Sequence, residues 1–218
     1  PGKLPITDAA KFAVSNGVIR FTASPDLGDY AFIELTGDVD RTMFDRLAIL
    51  DPDGSNRYGF TFDAEGGKTT VTLKVVDVSS ITDVTWTGSE SGAWATDANW
   101  IGDSKATALN NAVFPAEATT KQVAVDRNEA ADQLKFTGGE YAVSGEGQLT
   151  AYGMLVTNGA TATVSAPVVP KGSFSLDVAE DAALDFASPF VRLSAGELVK
   201  KGLGPLALTG SRALNTLD

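Results

Sequence analysis

Residues 121–164 read KQVAVDRNEAADQLKFTGGEYAVSGEGQLTAYGMLVTNGATATV. Apolar and polar residues alternate in short runs such as Gln122–Val125 and Tyr141–Val143, and Gly, Asn or Asp separates the runs. Alternation with period two predicts β-strands, and the residues between the runs predict turns. The same pattern continues to Leu206–Thr209. Short, closely spaced strands favour a β-solenoid, in which each coil stacks on its neighbour. An antiparallel β-sandwich or jelly roll across the chain produces a similar pattern and stays open as the alternative.

The N-terminal part has longer alternating runs, typical of an antiparallel sheet. Tyr30–Thr36, Arg57–Phe62 and Thr70–Val76 are predicted strands, and the Gly-containing segment between the last two predicts a hairpin. Residues 41–47 are predicted to form one helical turn. We therefore expect an all-β chain with an antiparallel portion at 1–80 and a Trp-rich opening plus short-strand repeats at 81–218. A single β domain over 1–218 is the alternative.

Charge and hydropathy restrict the partners. The chain has 218 residues, of which 43% are hydrophobic, and its net charge is −11. Nucleic acid and anionic membrane surfaces would be repelled by the mean field of such a protein. No apolar run approaches the roughly 18–20 residues that cross a bilayer. We therefore predict no nucleic-acid partner and no membrane insertion of this segment.

Missing residue types restrict the chemistry further. The chain has no His and no Cys, which excludes Ser-His-Asp and Cys-His catalysis and removes the commonest zinc ligands. If the protein is an enzyme, acid–base chemistry falls to side chains such as Asp and Glu. A carboxylate-dependent hydrolase of the aspartic-protease or glycosidase type, active in the acid range, is therefore one hypothesis. The sequence assigns it no catalytic residue.

All three tryptophans lie close together, in the motifs Thr85-Trp86-Thr87-Gly88, Gly92-Ala93-Trp94 and Ala98-Asn99-Trp100. This series resembles the opening of bacterial surface proteins with autotransporter-associated β-strand repeats. Residues 198–210, LVKKGLGPLALTG, resemble the repeat itself, although Pro205 stands where Thr is usual. The resemblance implies an extracytoplasmic bacterial protein, secreted or at the cell surface, with β-helical or β-sandwich architecture. Such families include adhesins, and the resemblance implies no particular reaction.

The tryptophans are also the candidate ligand-binding residues. An indole ring can stack on the apolar face of a sugar while its N–H bonds a hydroxyl group. Trp86, Trp94 and Trp100, with polar contacts from Asp97 and Asn99, are therefore predicted to bind a glycan or glycoprotein such as mucin. The alternative is that the three rings pack under a strand connection and seal one end of the core.

A second candidate site lies in an Asp-rich turn. Asp51, Asp53 and Asn56 offer alternating oxygen ligands around Gly54, as in the first half of a calcium loop. The Glu that would complete such a loop is missing, because position 62 is Phe62. An ordinary turn explains the same residues, so we expect no obligatory cofactor, with calcium as the one candidate.

The leading functional hypothesis is a noncatalytic module that binds host or matrix glycans. The carboxylate hydrolase acting on a secreted glycoprotein is the alternative, and a structural stalk or spacer is the second alternative.

Overall fold

The computed structural model describes residues 4–6, 18–21, 25–37, 39–50, 55–188 and 197–210. The chain is all-β, with a β-solenoid of about four turns and a separate antiparallel sheet. It divides into two compact units, Pro1–Ile81 and Thr82–Asp218.

Unit 1 is built on a sheet with the strand order β1-β3-β6-β5. These strands span Leu4–Ile6 (β1), Gly28–Thr36 (β3), Asn56–Glu65 (β5) and Lys68–Asp77 (β6). β3 and β5 each pair antiparallel with β6, and Gly66 and Gly67 form the predicted hairpin turn with positive φ angles of 58° and 75°. Two short strands, Val18–Arg20 (β2) and Ala48–Leu50 (β4), pair in parallel. The helical turn predicted at 41–47 is a 3₁₀ helix that spans Arg41–Arg46.

Unit 1 has small hydrophobic clusters on this framework. One contains Leu35, Phe44 and Val71, and another contains Tyr58 and Leu73. The alternation in β6, where Val71, Leu73 and Val75 are all buried, follows from the period of two that defines a half-buried strand.

Unit 2 is the solenoid, and its strand pairs are parallel. The first sheet has the order β7-β8-β11-β13-β15-β17, with β10 also beside β13. The second sheet has the order β9-β12-β14-β16-β18. The strands are Thr82–Thr85 (β7), Asn110–Phe114 (β8), Gln122–Ala124 (β9), Glu129–Ala130 (β10), Gln133–Phe136 (β11), Glu140–Ser144 (β12), Leu149–Val156 (β13), Thr161–Val164 (β14), Val168–Val178 (β15), Ala183–Phe186 (β16), Leu198–Lys201 (β17) and Leu206–Leu208 (β18).

Successive coils place like side chains above one another. We call a set of residues at partner positions in successive coils a column, inward or outward according to where its side chains point. One column runs through Phe114, Phe136, Val156 and Val178, and another through Val123, Val143, Val164 and Phe186. All eight side chains are no more than 1% exposed. Each coil therefore stacks its apolar side chains on those of its neighbours, which is the packing typical of a solenoid.

The jelly-roll alternative is therefore wrong for unit 2. Neighbouring strands in each sheet are parallel, and the chain passes through a strand of the other sheet between most of them. A jelly roll instead pairs antiparallel strands. Between the two units, residues 76–83 contain the end of β6, a 3₁₀ turn at Val78–Ser80 and the start of β7. Among the described residues, no helix is long and apolar enough to cross a membrane.

Candidate functional site

The three tryptophans lie on the connection between β7 and β8, residues 86–109, which we call the aromatic cap. Trp86, Trp94 and Trp100 have relative exposures of 0%, 0% and 2%. Trp100 lies edge-on to both others, with ring centroids 5.1 Å from Trp86 and 5.0 Å from Trp94. Edge-to-face contacts at this distance are favourable because the positive edge of one ring meets the negative face of the next. The structure thus brings the three predicted residues together.

The cap rests on the first coil. The Phe114 ring lies 5.8–6.2 Å from the three indoles and stacks on Phe136 of the next coil at 4.9 Å. Ala93 forms a parallel bridge with Ala124 in β9, so the cap also pairs with the end strand of the second sheet. The aromatic cap therefore covers the N-terminal end of the solenoid core.

Two of the three indole N–H groups donate to backbone carbonyl oxygens inside the protein. Trp86 Nε1 donates to the Thr120 carbonyl oxygen at 2.7 Å, and Trp100 Nε1 donates to the Trp94 carbonyl oxygen at 2.9 Å. Trp94 Nε1 is buried with no partner in the structure. With neither ring face nor N–H at the surface, these tryptophans cannot stack on a sugar. The predicted glycan platform is corrected to the alternative, an aromatic seal over one end of the core.

Asn99 and Asp97 have structural roles in the same cap. Asn99 is 0% exposed, and its Oδ1 accepts from the backbone N–H groups of Glu90 and Ser91, each at 2.9 Å. Its Nδ2 donates to Ser91 Oγ and to the Ala93 carbonyl oxygen, also at 2.9 Å. These four bonds use both ends of the amide, so Asn99 has no group left for a ligand. Asp97 is exposed, and its Oδ1 accepts from the Lys105 backbone N–H at 3.2 Å.

Two glycines of the Trp motifs are required by close backbone approach. A Cβ on Gly92 would lie 2.5 Å from the Gln122 carbonyl oxygen, and one on Gly88 would lie 2.7 Å from that of Thr120. Gly88 also has a positive φ of 58°, which favours glycine. The spacing of Gly and Trp in this motif is therefore explained by how the cap closes on the first coil.

Of the candidate calcium residues, Asn56 is the one that lies within the described part of the chain. Asp51 and Asp53 lie outside the described residues. Asn56 is buried, and its Nδ2 donates to the Pro25 carbonyl oxygen at 3.1 Å. Within the described ranges, no group of three or more Asp, Glu, His or Cys side chains is arranged to hold a metal ion.

A buried ion cluster lies beside the cap and was missed from the sequence. Glu129 is 1% exposed, and its carboxylate pairs with Lys105 and with Arg127, whose Nε lies 3.0 Å from Oε1. Sequence reasoning passed over it because residues 126–130, DRNEA, show no period of two and look like an ordinary polar turn. Two opposite charges meet the requirement that a buried carboxylate be paired.

Tyr141 and Asp83 of the solenoid have shifted pKa values. Burial raises the pKa of Tyr141 above its ordinary value, and the Tyr141 hydroxyl donates to the Pro115 carbonyl oxygen at 2.5 Å. For Asp83, partial burial acts to raise the pKa, but hydrogen bonds from Lys135 and Asn111 outweigh it and leave the pKa lowered. Both donor distances are 2.8 Å. These groups hold strands and turns together, and neither forms part of a carboxylate pair.

Comparisons with protein-family models, with curated proteins and with solved structures found no match to this chain. The resemblance to surface proteins with autotransporter-associated repeats therefore stays a prediction.

Proposed function

We propose that this chain is a noncatalytic structural module of an exported bacterial protein, in which the solenoid acts as a spacer. The main support is that the residues of the Trp-rich motif pack inside the protein. The tryptophans, Asn99 and the motif glycines all serve closure of the first coil. The secreted or cell-surface location belongs to the proposal and rests on the sequence resemblance.

The architecture suits such a role because stability is distributed along the stack. Each coil contributes its own interface with the next, and the inward columns are filled by Phe, Val, Leu and Ala. Parallel strands lie about 4.8 Å apart, so each coil adds a fixed increment of length. The aromatic cap closes the end that would otherwise leave Phe114 exposed to water.

The other two hypotheses lack a supporting arrangement among the described residues. The tryptophans that were to carry glycan binding are buried. Glu129, a buried carboxylate that could suggest unusual acid–base chemistry, is already paired with two cations.

One set of experiments on the full chain distinguishes the spacer from glycan binding and from hydrolysis. Immobilised protein is tested on a glycan array, incubated with labelled mucin across the acid range, and held under load between cysteines introduced at Thr82 and Ala207. The spacer proposal expects no saturable binding, no cleavage, and constant extension until coils peel away. Matched controls are Trp94→Ala, which opens the cap, and Thr163→Ser on the solenoid exterior.

Saturable glycan binding that an exterior substitution abolishes would contradict the proposal. So would mucin cleavage that a single Asp→Asn substitution removes. A stack that extends continuously at the lowest load, with no step, would show that the solenoid cannot act as a spacer.

A further inference from the structure

Glu129 occupies a core position of the solenoid. In the parallel register, Glu129 pairs with Leu149, and Leu149 pairs with Val168. Leu149 and Val168 are 0% exposed and belong to the main hydrophobic core. A carboxylate therefore stands at the head of a column whose other members are apolar. Burying a charge at such a position costs free energy unless partners compensate it.

Both partners tie Glu129 to the aromatic cap. Lys105 lies in the cap itself and pairs with Oε2 of Glu129. Arg127 pairs with Oε1 and also donates from an Nη atom to the carbonyl oxygen of Ala95 in the cap, at 3.4 Å. The cap thus supplies one of the two cations that compensate Glu129 and holds the other, Arg127, through the Ala95 carbonyl oxygen.

One part of the apolar core repeats from coil to coil. The column Val123, Val143 and Val164 presents the same side chain in three successive coils. Hydrophobic burial has no direction, so this repeated column does not by itself distinguish one coil from the next.

We infer that Glu129 specifies which coil lies beneath the aromatic cap. Any arrangement that covered Glu129 with another coil would separate it from Lys105 and leave the carboxylate buried among Leu and Val side chains. Buried polar groups fix register in the same way in coiled coils, at some cost in stability. Glu129, Lys105 and Arg127 would therefore serve the uniqueness of the fold more than its stability.

The test uses Glu129→Leu, Lys105→Met and, as the matched control in the same column, Leu149→Val. The chain's three tryptophans all lie in the cap, so the indole N–H cross-peaks of a ¹H–¹⁵N spectrum report how the cap is seated. Each full-length protein is unfolded in urea, refolded, and examined by this spectrum and by its unfolding equilibrium.

For Glu129→Leu we expect an unfolding constant within about tenfold of the unsubstituted protein, because an apolar residue replaces a buried ion pair. We also expect more than three indole cross-peaks after refolding. Lys105→Met should keep three cross-peaks but raise the unfolding constant by on the order of a hundredfold or more, because it leaves Glu129 buried with one partner fewer. Leu149→Val should keep three cross-peaks.

Three sharp cross-peaks in refolded Glu129→Leu would overturn the inference, since the register would then be set without the charge. Failure of Glu129→Leu to fold, or a loss of stability as large as that of Lys105→Met, would also overturn it, since the cluster would then act through stability alone. An unchanged unfolding constant in Lys105→Met would show that Lys105 does not compensate the buried carboxylate.

Discussion

Phe114→Ala should weaken the solenoid and loosen its cap at the same time. Phe114 is 0% exposed, and its ring contacts the three indoles, Phe136 at 4.9 Å and Tyr141 at 5.4 Å. Truncating a buried Phe to Ala costs about 3–5 kcal/mol. Aromatic pairs add about 0.5–1.5 kcal/mol each beyond burial, so we expect a loss near the upper end, about 4–5 kcal/mol.

The assay is urea denaturation followed by tryptophan fluorescence, which reports on unit 2 because all three tryptophans lie there. Phe114→Ala should also shift the native emission to longer wavelength, since a cavity beneath the indoles admits water or lets the cap open. Phe186→Ala is the matched control: its ring is 1% exposed and lies 6.3 Å from Phe174, several coils away from the cap. We expect it to cost about 3–4 kcal/mol without changing the native emission. A cost below about 1 kcal/mol for Phe114→Ala, or an unchanged native emission, would refute the role given to the cap.

Three further predictions concern the packing of coils and two titrating groups. Gly147→Ala should cost about 1–3 kcal/mol in urea denaturation, because its Cβ would lie 2.1 Å from the Arg127 carbonyl oxygen; a neutral result would show that the two coils can separate freely. The raised pKa of Tyr141 means that its stabilising contribution is present below about pH 10 and is lost as the pH rises. The unfolding free energy should therefore fall more steeply in alkali for the unsubstituted protein than for Tyr141→Phe, and parallel curves would contradict this. The lowered pKa of Asp83 gives a contribution present above about pH 4 and lost on acidification. Asp83→Asn should cost less than about 1 kcal/mol at pH 7, because the Asp83 side chain in the pair with Lys135 is 53% exposed. The cost should become smaller as the pH falls below about 4, and an equal cost at pH 7 and pH 2 would contradict the ion pair.

The strand pattern was predictable because it depends on local alternation. The buried side chains of Tyr141 and Val143, and of Ala162 and Val164, follow directly from period two. The hairpin of unit 1 was predictable for the same reason, since Gly66 and Gly67 stand between two alternating runs. The parallel pairing was favoured from the short spacing of the strands, but alternation is the same in parallel and antiparallel sheets, so the sequence left both open.

The site was predicted less well, because its residues depend on tertiary contacts. The Trp-rich motif identified the right segment, but a sequence does not reveal whether an indole faces solvent or the core. For Trp94 and Trp100 the deciding contact is with Phe114, which follows them by 20 and 14 residues. Glu129 was missed because its partner Lys105 is 24 residues away, and nothing in the local pattern indicates that a charge enters a core column.

Spin labels along one outward column test the parallel solenoid most directly. Gln122, Thr163 and Ala207 lie on this column, joined through Ala142 and Asp185 by the register of β9, β12, β14, β16 and β18. The chain has no Cys, so labels attach only to cysteines introduced at these positions. At about 4.8 Å per strand, electron paramagnetic resonance should give backbone separations of about 10 Å for 122 and 163 and about 19 Å for 122 and 207. Separations that do not increase in this two-to-four ratio would contradict the stacked coils on which the whole account rests.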